Sequence, residues 1–293
     1  MTRKVRIAAV QLPSYQNGQT NAEKWQENLK AAENWLEKAG RSGADIACLG
    51  EHYNAMGQEI TAENLLKEIH GIVEETVERL GAAARRFHMY LIAPVWGSLD
   101  GIPSNAALLL DRDGCYVGAY RKVHPTSMER ELGLVPGDSW PTFNLDFGCI
   151  GIQICHDNSF PESARSLALN GAELIFWPHV MSGWGGEFMS VLMRSPAIYN
   201  GIHHIPVSFG CEPDRSWRPG MLIGHTSIIA PDGIVIADAG RYPGVASAEI
   251  DLDRPRIAHD FTRAGDHIWR ADMLNDRRPD TYQPITRPLD QLE

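Results

Sequence analysis

The feature of this chain that most restricts its fold is an alternation between two hydrophobic periods. Short runs rich in Val and Ile recur at Val5–Leu12, Ala44–Leu49, Met89–Pro94, Ala106–Leu110, Cys149–Cys155, Glu173–Trp177, Ile205–Phe209, Thr226–Ala230 and Val245–Ile250. Each has strand length and is bounded by Gly, Pro or Asp. Stretches of helical spacing lie between the early runs. In NAEKWQENLKAAENWLEKAG the apolar positions are Trp25, Leu29, Ala32, Leu36 and Ala39. Thr20 and Glu23 supply a capping box ahead of that helix, and Gly40 a stop. A second helical run carries Leu65, Ile69, Ile72, Val77, Leu80, Ala84 and Phe87. Strand, helix, strand, helix, strand is the order of right-handed βαβ units. Two later segments, LLLDRDGCYVGAYRKVH and IIAPDGIVIADAG, predict hairpins over Asp113-Gly114 and Asp232-Gly233. The expectation is an α/β fold whose sheets are mixed.

No repeat, low-complexity tract or Ser/Gly/Pro linker divides the 293 residues, so one domain over 1–293 is expected. Its last part, 255–293, is polar and Pro-rich and reads as a C-terminal tail lying on the surface or at a subunit interface. The formal charge of −10 argues against nucleic acid or an anionic membrane as partner, since both select basic patches. No window reaches the ~18 apolar residues of a membrane-spanning helix. The opening MTRKVRIAAVQL contains Arg6 and runs into Gln11-Leu12-Pro13, which suits a first strand better than a signal peptide. Five cysteines, an odd number without a CxxC, fit a reducing compartment, and a cytoplasmic protein is expected.

Three reactive groups end apolar runs: Glu51 after GADIACLG, Lys122 after GCYVGAYR and Cys155 after GCIGIQI. Ligands of open α/β sheets bind beyond the carboxyl ends of strands. Taken singly, each has a plain structural reading. A free cysteine usually fills core space, Glu51 could be a solvated loop acid, and Lys122 a surface cation. The surroundings of Cys155 favour chemistry. Pro161 suits the first turn of a helix in PESARSLALNG, and Gly171 closes it. Cys155 then lies on a strand–turn–helix bend, where backbone N–H groups and the helix dipole favour thiolate. Cys149, in mid-strand, reads as core. Beside a thiol and a carboxylate, Lys122 could hold an oxyanion.

These motifs carry a resemblance. RIAAVQLP, GADIACLGE, YRKVH, ICHDNSFPE and RRPDTY together resemble the carbon–nitrogen hydrolase, or nitrilase, superfamily over essentially the whole chain. The resemblance implies a four-layer αββα sandwich that pairs through helical faces into a homodimer or larger homo-oligomer. It also implies a small-molecule substrate, no metal and no organic cofactor. The family's Glu-Lys-Cys triad maps onto Glu51, Lys122 and Cys155. KVHPTSMER resembles the nitrilase-type Pro-Thr-x-x-Glu-Arg and places the family's second glutamate at Glu129, with Glu131 as rival. Two departures stand out. The acid motif commonly reads Pro-Glu and here is Gly50-Glu51, which implies a looser loop. The residue after the cysteine is commonly Tyr or Trp and here is His156.

The implied chemistry is hydrolysis of a linear amide or N-carbamoyl compound through a thioester on Cys155. The alternatives are a nitrilase giving a carboxylic acid and a non-catalytic relative that binds a small molecule or protein. Tyr53, His156, Trp177 and His179, with Trp184, are the candidate substrate contacts, and interface packing is the rival reading of the tryptophans. His203-His204 does not suggest a metal site, because neighbours on a strand face opposite ways.

Overall fold

The computed structural model describes residues 2–181, 186–211, 224–254, 257–259 and 266–287. The first half follows the predicted alternation: β1 (Lys4–Pro13), α1 (Asn21–Arg41), β2 (Ile46–Cys48), a short α2 (Leu65–Glu68), α3 (Ile72–Phe87) and β3 (Tyr90–Leu99). β1, β2 and β3 pair in parallel. The chain then doubles back through β4 (Ile102–Leu110) and β5 (Tyr116–Arg121), both antiparallel to their neighbours. α4 (Ser127–Leu132) follows.

The second half repeats the plan: β6 (Thr142–Asn144), β7 (Cys149–Ile152), α5 (Pro161–Leu169), β8 (Leu174–Pro178), α6 (Gly186–Asn200) and β9 (His203–Val207). β7, β8 and β9 are parallel. β10 (Phe209–Gly210) and, further on, β13 (Gly244–Asp251) return to pair with β1, while β11 (Ser227–Ile229) and β12 (Val235–Asp238) extend the second sheet. The closing elements are β14 (Ile257–His259), β15 (Asp266–Ile268), α7 (Trp269–Asn275) and α8 (Gln283–Thr286). Arg270 in α7 donates to the Ala172 carbonyl at 2.9 Å, which fastens this part of the tail to the second sheet's helical side.

Strand alternation then builds the layers. Val5, Ile7 and Ala9 of β1, Ile46 and Cys48 of β2 and Ile92 of β3 face Ile150, Ile152, Leu174, Phe176, Ile205 and Val207 of the other sheet. The intervening residues Ala8, Val10, Leu12, Ala47, Leu91 and Ala93 pack outward on Leu29, Leu36, Leu80 and Ala84 of α1 and α3. On the far side Ile175 meets Ala164 and Leu167 of α5, and Trp177 meets Met189, Met193 and Ala197 of α6. The result is helix, sheet, sheet, helix, the αββα sandwich the resemblance implied. Each fully buried aliphatic side chain in such layers contributes about 1.5–3 kcal/mol.

Several elements differ from the sequence reading, and α1 runs through Gly40 to Arg41 rather than stopping there. The second helical run breaks at Gly71, whose φ of 73° is left-handed, so that it forms α2 and α3 rather than one helix. An additional tight hairpin joins β3 to β4 over Asp100-Gly101, both at positive φ (54° and 78°). No helix among the described residues is long and apolar enough to cross a membrane.

Candidate active site

The two antiparallel steps from β3 to β5 leave β5 running in the same direction as β1–β3. Lys122, just past β5, therefore reaches the same edge as Glu51, just past β2. Cys155 reaches that edge from β7 of the facing sheet. All are buried: Glu51 1%, Lys122 1%, Glu129 2% and Cys155 9% exposed.

The polar contacts form one network. The Lys122 Nζ donates to Glu51 Oε1 at 2.9 Å and to Glu129 Oε1 and Oε2 at 3.1 and 2.8 Å. The Asn105 amide, projecting from β4, donates to Glu51 Oε1 at 2.9 Å and Glu129 Oε1 at 2.6 Å. The Val180 backbone N–H, from the segment after β8, donates to Glu51 Oε2 at 3.1 Å. Glu129 is held by the capping box of α4: Thr126 N–H donates to its Oε2 at 2.7 Å, and Thr126 Oγ1 accepts from Glu129 N–H at 3.3 Å. That motif fixes which carboxylate meets Lys122, because Glu131 is exposed on the far side of the same helix.

Charge follows from the contacts. Burial opposes the Lys122 charge, but Glu51, the Cys155 sulfur and Glu129 outweigh it, and the ammonium is held well above its ordinary pKa. Burial also works against the Glu129 charge, yet Lys122, Thr126 N–H and Asn105 pull its pKa down. Cys155 goes the other way. Burial, and then the negative charge of Glu51, push its pKa well up in spite of Lys122. The expectation of a favoured thiolate is thus reversed: the bend is present, but it is dry and faces a carboxylate.

The Cys155 backbone has a left-handed φ of 45°, a conformation that a non-glycine residue holds only under constraint. Several bonds supply the constraint. Trp177 Nε1 donates to the Cys155 carbonyl at 2.9 Å. Asp157, fully buried, accepts from Ile154 N–H at 2.8 Å, Tyr120 O–H at 2.7 Å and His124 N–H at 2.9 Å. Its bond to Tyr120 ties the cysteine turn to β5, two residues before Lys122.

The remaining expected residues fall in different places. His156 is part-exposed beside Cys155, its ring 5.2 Å from Phe160 and edge-on to it. Its pKa is lowered by burial, then by Lys122. Tyr53 is not brought to the site: it is fully buried on the helical side of the first sheet, with its hydroxyl 3.1 Å from Thr76 Oγ1 and its ring 5.8 Å from Trp25. Trp177 and His179 are also buried, stacked 4.1 Å apart, with His204 5.6 Å from Trp177 on a near-parallel plane. Of these, Trp177 bonds directly to the Cys155 turn. Trp184 lies outside the described residues. Among the described residues no three His, Cys, Asp or Glu side chains are grouped to hold a metal ion.

Gly50 lies against β10. A Cβ there would lie 2.6 Å from the Phe209 ring, so β10 fills the space a larger residue would need. Asn105 and Asp157 are the site residues that sequence reasoning passed over. Their signals were a lone amide in the apolar strand PSNAALLL and an acid two residues past Cys155.

Known proteins share the chain's family sequence pattern and its fold. The carbon–nitrogen hydrolase family model matches residues 6–258, and the chain belongs to that family. A deaminated glutathione amidase of Synechocystis sp. is 33% identical over 245 residues, covering 78% of this chain and 87% of that protein. An N-carbamoylputrescine amidase of Oryza sativa subsp. japonica is 28% identical, covering 96% of this chain and 94% of that protein. The crystal structure of an amidase from Nesterenkonia sp. superposes with a TM-score of 0.76 at 21% identity, covering 96% of both chains, and shares the fold.

Proposed function

We propose that the protein hydrolyses a linear amide or an N-carbamoyl compound, with Cys155 as nucleophile, Glu51 as general base and acid, Lys122 as oxyanion holder and Glu129 as the group that positions Lys122. The observation that carries this reading is the Lys122 ammonium held between Glu51 and Glu129 at the edge where the buried Cys155 thiol lies. A free thiol is only a few per cent ionised near neutrality, and this one less, so proton transfer and attack must go together. Glu51 takes the Sγ proton as the sulfur bonds to the carbonyl carbon. The carbonyl π electrons move onto oxygen, which Lys122 and the His156 backbone N–H receive. The C–N bond then breaks, and Glu51 returns the proton to the departing ammonia or amine. Water attacks the thioester as Glu51 accepts its proton, the C–S bond breaks, and Glu51 passes that proton to the departing sulfur, giving the acid and restoring the thiol.

The relatives' names, amidases of deaminated glutathione and of N-carbamoylputrescine, favour amides and carbamoyl compounds over nitriles as substrates. A panel of linear amides, ureido acids and nitriles, scored for ammonia release, separates the classes. Turnover of an amide or ureido acid is expected. Turnover of nitriles alone would replace this reading with a nitrilase. Exposed apolar residues on α5 and α6, namely Leu169, Phe188, Val191 and Tyr199, support association through that helical layer. Five free cysteines support a reducing, cytoplasmic setting, and the one-domain reading keeps residues 255–293 as an appended tail.

A further inference from the structure

Beside Glu51, three buried side-chain atoms have no hydrogen-bond partner among the described residues: His52 Nδ1, Trp96 Nε1 and Asn105 Oδ1. Their side chains are neighbours. Trp96 in β3 and Asn105 in β4 are directly opposed across the antiparallel ladder. That places them on one face with Cβ atoms about 5 Å apart. The His52 and Trp96 ring centroids are 4.6 Å apart. Trp96 is 6% and Asn105 1% exposed.

The chemistry of the three atoms restricts what can join them. Trp96 Nε1–H can only donate. Asn105 already donates through Nδ2 to Glu51 and Glu129, so its amide orientation is fixed and Oδ1 can only accept. His52, kept neutral by burial, can do either. A carboxylate or phosphate has no proton for Asn105, and an ammonium has no lone pair for Trp96. Water both accepts and donates, and when buried it makes about three such bonds, so one molecule satisfies all three atoms.

We infer that His52, Trp96 and Asn105 hold one buried water, and that this water braces the Asn105 amide against Glu51 and Glu129. His52 and Trp96 are then positioning residues that act through Asn105. Without the brace Asn105 turns to satisfy its own carbonyl and withdraws its N–H groups from the two carboxylates. N–H donation favours the charged carboxylate, so its loss moves the acid limb of the pH–rate profile upward.

A high-resolution crystal structure of the full chain tests the site directly. One water within hydrogen-bond distance of all three atoms is expected, in the wild type and in Cys155→Ala alike. A side chain in that place, no density, or an Asn105 amide turned away from the carboxylates overturns it. Kinetics supply the second measurement. Trp96→Phe keeps an aromatic ring, removes the donor and shortens the buried side chain. It should lower kcat roughly 10- to 100-fold, leave KM within about two-fold and raise the acid limb. Unchanged kcat and an unmoved limb overturn the positioning role. His52→Asn, which tolerates the left-handed φ of 36° and keeps polar atoms, should recover part of what His52→Ala loses. The kinetic arm rests on Glu51 as base, whereas the density does not, so failure of the two readings can be told apart. If Trp96→Phe does not fold, the crystal structure decides alone.

Discussion

At the scale of single residues, Cys155 shows how a dry site handles a nucleophile. Burial and Glu51 raise the thiol's pKa, so in the proposed mechanism the sulfur attacks as Glu51 takes its proton. Cys155→Ala should fold as the wild type does and lose at least about 10³-fold in turnover, as followed by ammonia release alongside circular dichroism. The two glutamates of α4 give a paired prediction. Glu129→Gln removes a carboxylate that grips Lys122 at 2.8 Å and should cost about 10²-fold in kcat. Exposed Glu131→Gln should stay within about two-fold. Equal losses would leave the role of Glu129 unsupported. Glu129 was placed by the resemblance of KVHPTSMER to the nitrilase-type Pro-Thr-x-x-Glu-Arg, with Glu131 as rival, and the capping box of α4 appears only in the structure. Asn105 and Asp157 were not legible in the sequence, since their partners Glu51 and Tyr120 lie 54 and 37 residues away and spacing carries no sign of such contacts.

At the scale of elements, turns and caps explain what could be foreseen. Thr20 caps α1 as expected, accepting from Glu23 N–H. Thr20→Ala should lower stability by about 1 kcal/mol, measured as a shift in the urea midpoint. The Asp113-Gly114 turn is more tightly bound. Gly114 has a φ of 76°, and a Cβ there would lie 2.1 Å from the Gly81 carbonyl oxygen of α3. Gly114→Ala should therefore lower the midpoint more than Thr20→Ala, because both the backbone angle and the neighbouring backbone resist it. A smaller effect would mean that the hairpin can lift away from α3. The break at Gly71 was hidden because the apolar spacing continues on both sides of it. α6 was harder still: Pro196 lies inside it and lacks the N–H that a helix interior uses.

For the whole molecule, the buried histidines set an acid limit. His203 and His204 are lowered to about 4 and His179 to about 3, in each case mainly by burial, against an ordinary value of 6.5. Between those values the unfolded chain binds protons that the folded one refuses, so stability falls as pH falls. The histidine contribution is complete above about pH 6.5 and is lost progressively toward pH 4 and below. Urea midpoints should be lower at about pH 5 than at about pH 7, and His204→Gln should flatten the difference. An unchanged difference would mean that His204 takes up its proton without opening the stack on Trp177. The layered architecture was legible because alternate residues of β1 are apolar toward both neighbouring layers. The facing of the two sheets was not. It depends on contacts between halves of the chain, and only the family resemblance supplied it.

The central claim is that Cys155 forms the covalent intermediate with Glu51 and Lys122 at its side. Peptide-mapped mass spectrometry of enzyme quenched in acid during turnover of an amide tests it most directly. The account predicts the acyl mass on the peptide containing Cys155, and no adduct in Cys155→Ala. An acyl group on any other residue, or undiminished turnover by folded Cys155→Ala, would contradict it.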